Sequence, residues 1–194
     1  MFYGDRLAYC HLRSSISQGF GHTDVVLSEI NSQTPVSRFQ DISRIYNSYK
    51  PQSANITGWN ALCTAAYNGN AQLAEHIINL YKKDIRLVDL ATTFGWTPLF
   101  CASVSTNHQG ALAVSELLIK EEANVNIATP YVTSLMISDV ANGLLNKSQG
   151  IPSGATPLWG SLFVSKNVQL SRYLESQGGK YLGAPVKVTT TSLA

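Results

Sequence analysis

Of the 194 residues, 44 % are hydrophobic and 13 % charged, against roughly 25 % charged in an average soluble protein. A chain of this length buries about 70 % of its unfolded surface, so one core can form without staples and a wholly disordered chain is excluded. The net charge of +2, with no cluster of Lys or Arg, excludes a nucleic-acid or anionic-membrane partner, since both need concentrated positive charge.

In chain order, residues 4–12 and 21–30 read as a degenerate helix pair, and Thr34-Pro35 opens a further helix with an apolar face of Phe39, Ile42, Ile45 and Tyr46. Gly58-Trp59-Asn60-Ala61-Leu62 then begins a short helix rich in small residues, followed by a second helix over 71–78. The same grammar returns at Gly95-Trp96-Thr97-Pro98-Leu99, with a bend lengthened over 105–110, a second helix over 112–119, and a helix stop with return hairpin at Ala123-Asn124-Val125-Asn126. A large insertion, 129–153, follows, and its stretch 134–145 has the spacing of an amphipathic helix. The grammar appears once more at Gly154-Ala155-Thr156-Pro157-Leu158, with a second helix over 168–174 and a stop at Gly178-Gly179. The remainder, 184–194, is a Thr-rich tail read as frayed.

Each opening has a physical reason. Gly allows the positive φ of a tight turn, and Thr97 and Thr156 suit an N-cap. Pro98 and Pro157 suit the first helical position, where no donor is missed. Ala65, Ala66, Ala102 and Ser161 leave room for close helix packing. Neutral polar residues are abundant, with 21 Ser, 13 Asn, 14 Thr and 9 Gln, and they fit caps, bends and the solvent side of second helices.

Three related units over about 55–183 resemble the ankyrin repeat, a turn and two helices per unit of about 33 residues. The resemblance implies an all-α, helix-turn-helix solenoid with short hairpin loops, here with an inserted helix or loop between the last two repeats. Residues 1–54 then read as a divergent repeat plus a capping helix. The family's His after Leu is replaced by Cys63, Phe100 and Trp159, so apolar packing is expected in place of its hydrogen-bonded bridge.

No signature of catalysis or of a cofactor emerges. The chain has no HExxH, paired CxxC, EF-hand loop, GxxxxGK[ST] or GxGxxG. Cys10, Cys63 and Cys101 are widely spaced and odd in number, which argues against a disulfide framework and for a reducing, cytoplasmic setting. No apolar run reaches the length of about 18 residues that spans a bilayer, and the basic-then-apolar start of a signal peptide is lacking. Cys10-His11 is the one adjacent Cys/His pair. An effector enzyme using it is the rival reading, and a regulatory fragment of a larger enzyme is a third.

The resemblance implies a monomeric, non-enzymatic module that binds another protein in a concave groove, as an adaptor or as a pathogen effector delivered into a host cell. By carry-over from the family the groove holds Trp59, Tyr67 and Asn68 in the first unit. It holds Phe94, Trp96, Val104 and Ser105 in the second, and Ser153, Ala155, Phe163 and Val164 in the third. Trp and Tyr are typical binding anchors, although the same rings could instead stack between hairpins.

Overall fold

The computed structural model describes residues 31–37, 60–81, 87–92, 94–130 and 150–182. The readings made for 1–30, for Trp59, for the helix over 134–145 and for the tail lie outside these residues. Among the described residues six α-helices form three pairs: α1 (Ala61–Tyr67) with α2 (Ala71–Tyr81), α3 (Pro98–Ser103) with α4 (His108–Lys120), and α5 (Pro157–Trp159) with α6 (Val168–Ser176). We call the pairs units one, two and three. First helices pack on first helices and second on second, in chain order. Among the described residues there is no strand, only an isolated antiparallel bridge between Ala155 and Leu182. The start of the helix expected at Thr34-Pro35 is present at residues 36–37.

The caps explain why the helices begin where they do. Asn60 Oδ1 accepts from Cys63 N–H, Thr97 Oγ1 from Phe100 N–H and Thr156 Oγ1 from Trp159 N–H, each satisfying a backbone donor that the first turn leaves orphaned. Pro98 and Pro157 follow directly in the first turn. The small residues Ala65, Ala66, Ala102 and Ser161 are all fully buried, so the first helices approach closely. Gln72, Gln109 and Gln169 of the second helices are exposed.

A second set of caps ties the units together. Asn70, Asn107 and Asn167 each precede a second helix, and their Oδ1 atoms accept from Leu73, Gly110 and Leu170 N–H. Their Nδ2 atoms donate backwards along the chain. Asn70 reaches the Asn31 and Thr34 carbonyls at 2.9 Å, Asn107 the Asn68 carbonyl at 3.2 Å, and Asn167 the His108 carbonyl at 2.9 Å. One side chain thus caps the start of a helix and bridges to what precedes it, three times. At the middle rung the chains nearly touch. A Cβ on Gly110 would stand 2.3 Å from the Gly69 carbonyl oxygen, and one on Gly69 would stand 2.9 Å from Gly110 Cα.

These caps correct the expected bend. Asn60 and Asn70 are ten residues apart, as are Thr97 and Asn107, because Asn107 caps α4 and residues 108–110 already belong to that helix. The bend of unit two is therefore not lengthened. The extra residue lies in unit three, where Thr156 and Asn167 are eleven apart and α5 continues into a π turn, Gly160–Val164. A π turn is the usual way a helix absorbs one inserted residue. Counted from the front cap, Leu162 corresponds to Ser103; counted from the rear cap, Phe163 does. Two residues fill a place that Ser103 holds alone.

The hairpin loops repeat with equal fidelity. Thr92 N–H donates to the Trp96 carbonyl at 2.9 Å, and Trp96 N–H to Thr92 Oγ1 at 3.2 Å. Thr129 and Ala155 make the same two bonds at 2.8 and 3.2 Å, with the insertion between them. Asp89 Oδ1 accepts from Asn124 N–H, and Asn126 Oδ1 from Lys180 N–H, so one loop is laced to the next.

Candidate protein-binding surface

The hairpin pairing turns Trp96 inward. Its indole is 1 % exposed and packs on Phe100 with centroids 5.3 Å apart. Val104, Ser105, Ala155 and Val164 are also buried. For these five residues the expected place on an open groove is corrected. The residue after the hairpin Gly pairs with a Thr across the loop and points into the core. Val104, Ser105 and Val164 close the end of the first helix against the next unit or bend; the Ser105 hydroxyl accepts from Asn107 N–H at 3.1 Å.

Others remain accessible. Tyr67, Asn68 and Phe94 are half-buried. Burial, and then the neighbouring Cys101, raise the Tyr67 phenol above its usual range. Asn68 is held by its Nδ2 on the Thr64 carbonyl at 2.9 Å. Ser153 is exposed, its hydroxyl on the Pro130 carbonyl. Phe163 is 46 % exposed.

Around Phe163 the structure gathers rings that the sequence did not connect. Trp159 lies 5.4 Å from Phe163, tilted by 31°, and Tyr181 lies 5.4 Å from Phe163, edge-on. Tyr181 is 48 % exposed, and Leu162 and Leu182 beside the rings are 39 % and 51 % exposed. The loop carrying Tyr181 is held by the Thr156 hydroxyl, which donates to the Lys180 and Tyr181 carbonyls. Two helical residues and one loop residue thus form an apolar platform anchored by a cap. The signal was the one-residue excess between Thr156 and Asn167, which pushes two large apolar side chains outward.

The place of the family histidine is filled in three ways. Phe100 is buried, and Trp159 joins the ring platform. Cys63 keeps a weak polar bridge, its thiol donating to the Leu90 carbonyl at 3.6 Å and the Trp96 carbonyl at 3.9 Å. Here the expectation of purely apolar replacement is corrected. Cys101, fully buried beside Cys63, has its thiol pushed well above the usual range, first by burial and then by its contact with Cys63. Such a thiol stays protonated and is a poor nucleophile. Cys10 and His11 lie outside the described residues. Among the described residues no three His, Cys, Asp or Glu gather as metal ligands, and no helix is long and apolar enough to cross a membrane.

Residues 36–129 match the family described as ankyrin repeats, in three copies. The match begins in the helix read as a cap and ends before unit three, which repeats the same helix pair and caps. No curated protein matches the chain.

Proposed function

This chain is an ankyrin-repeat protein, and on that footing we propose that it holds a partner protein on the aromatic platform of unit three. Ankyrin repeats are generally protein–protein interaction modules and typically non-enzymatic. The observation that carries the proposal is the Trp159–Phe163–Tyr181 cluster. Partly exposed aromatic rings, already packed on each other, bury much area at small entropy cost when a partner arrives. The surface is low in charge, so binding depends weakly on salt. Tyr67, Asn68, Phe94 and Ser153 lie along the same series of first helices and hairpins and extend the footprint. The role is that of an adaptor in a cytoplasmic setting.

The test is capture of crosslinked proteins by the full chain and by a Phe163→Ser/Tyr181→Ser variant, with circular dichroism of both. Loss of most captured partners with an unchanged melting curve is the expected result. Retention of every partner by the variant shows that the platform is not the binding surface. Trp96→Ala is unsuited to this purpose. Emptying a fully buried Trp site costs about 3–5 kcal/mol, so any loss of binding would follow from unfolding.

A further inference from the structure

Two thiols lie side by side in the core where unit one meets unit two. Cys63 is on α1 and Cys101 on α3; both are free and fully buried. A hydrogen bond joins the two side chains. Two carbonyl oxygens of the unit-two hairpin face the first of these sulfurs, Leu90 at 3.6 Å and Trp96 at 3.9 Å from Cys63 Sγ. Neither oxygen is used up by its other partner. The Leu90 carbonyl accepts from Asn60 Nδ2 and the Trp96 carbonyl from Thr92 N–H, and a carbonyl oxygen has two lone pairs. One further sulfur and two oxygens thus gather about Cys63 Sγ.

These separations are those of a small tetrahedral site. Zn–S bonds of about 2.3 Å and Zn–O bonds of about 2.0–2.2 Å set sulfur and oxygen about 3.5–3.7 Å apart across a tetrahedral angle. The Leu90 oxygen meets that separation, and the Trp96 oxygen lies about 0.2 Å beyond it. Charge selects the ion. A divalent cation that displaces both thiol protons leaves a neutral complex, which a buried site tolerates, whereas a monovalent cation leaves a net negative charge. Calcium and magnesium do not suit the site, since they take six or more oxygen ligands. Thiolate ligands favour the zinc class.

We propose that Cys63, Cys101 and the Leu90 and Trp96 carbonyls bind one zinc-type divalent cation, which clamps unit one to unit two. Binding forms two metal–sulfur bonds, breaks two S–H bonds and releases two protons to solvent, with no change of oxidation state. Burial makes a bare thiolate at Cys101 costly, and the bound cation removes that cost by pairing the charge. A CxxC motif carries its ligands in one turn; here the packing of two units brings residues 63 and 101 together. The site uses nothing in unit three.

Equilibrium dialysis of the reduced full chain against about 1–100 μM Zn2+, followed by X-ray absorption at the zinc edge, tests the assignment. One zinc per chain is expected, with two sulfurs at about 2.3 Å and oxygens at about 2.0–2.2 Å, and Tm rises with zinc concentration. Cys63→Ser and Cys101→Ser each weaken binding by more than about tenfold, the least that even a supporting residue of a metal site costs. Cys10→Ser keeps the zinc and its shell, which separates the pair from the third thiol. Phe163→Ser/Tyr181→Ser binds zinc as the wild type does while losing captured partners, so the two proposals fail separately. No zinc bound at about 100 μM, a shell with fewer than two sulfurs, or loss of the metal in Cys10→Ser overturns the proposal. Should the Cys63 and Cys101 variants disturb folding, the shell measured on the unaltered chain and on Cys10→Ser decides.

Discussion

Asn167 tests whether unit three belongs to the stack, because one side chain makes both its helix cap and its link to unit two. It is almost fully buried, Oδ1 accepts from Leu170 N–H at 3.2 Å, and Nδ2 donates to the His108 carbonyl at 2.9 Å. Removing a cap of this kind costs about 1 kcal/mol, and losing a neutral hydrogen bond costs about 1 kcal/mol more. Asn167→Ala is therefore expected to lose about 2 kcal/mol, or about 4–8 °C in Tm for a chain of this size. Asn167→Ser keeps a cap oxygen but cannot reach the His108 carbonyl, so its loss is about half as large. Urea unfolding followed by circular dichroism measures both. The reasoning is refuted if Ser is as damaging as Ala, since the cap then contributes nothing. It is equally refuted if Ala costs less than about 0.5 kcal/mol, the range of an ordinary surface change.

Three further outcomes follow from single sites. Glu122 sits at φ 67, where unit three has Gly178 at φ 81, so Glu122→Gly should raise stability by about 0.5–1 kcal/mol, seen as a higher urea midpoint. The Ser115 hydroxyl is buried on α4 with no hydrogen-bond partner among the described residues, and Ser115→Ala should stabilise by about 1 kcal/mol in the same assay. Burial raises the folded-state pKa of Cys101 above its unfolded value. Below the unfolded thiol pKa, about 8.5, its stabilising effect is complete. As the pH climbs above that value the unfolded chain loses a proton that the folded chain keeps, so stability falls. Urea midpoints between about pH 8 and 10 should decline in the wild type and decline less in Cys101→Ala; equal slopes would remove the thiol as the cause.

Much of the fold was legible because its signals are local. Thr97-Pro98 and Thr156-Pro157 mark helix starts through chemistry confined to four residues, and all four behave as read. The bend of unit two was misjudged because residues 108–110 carry no apolar periodicity. Asn107 starts the helix there, and its role shows only once its bond to the preceding unit is seen. The site was less legible, since the direction of a side chain in a hairpin depends on cross-loop pairing. Trp96 looked like an exposed anchor, yet its equivalent is Ala155, and a position that accepts both Trp and Ala speaks more for an interior than for a binding tip. The platform brings together Trp159, Phe163 and Tyr181 from separate segments, through a single added residue that no periodicity rule detects.

The paired bonds of Thr92 with Trp96 and of Thr129 with Ala155 have a consequence for how this fold tolerates change. The first pair encloses residues 93–95 and the second residues 130–154. For a segment without structure of its own, that difference in loop length costs at most about 2 kcal/mol of closure entropy. The cost is met once, at the mouth of the loop, and does not reach the helices, because the mouth has the same two bonds in either case. The register of the array is thus indifferent to what is spliced between Thr129 and Ala155. That hairpin is a natural port, where a foreign peptide or a small folded module could be grafted while units one to three keep their mutual positions.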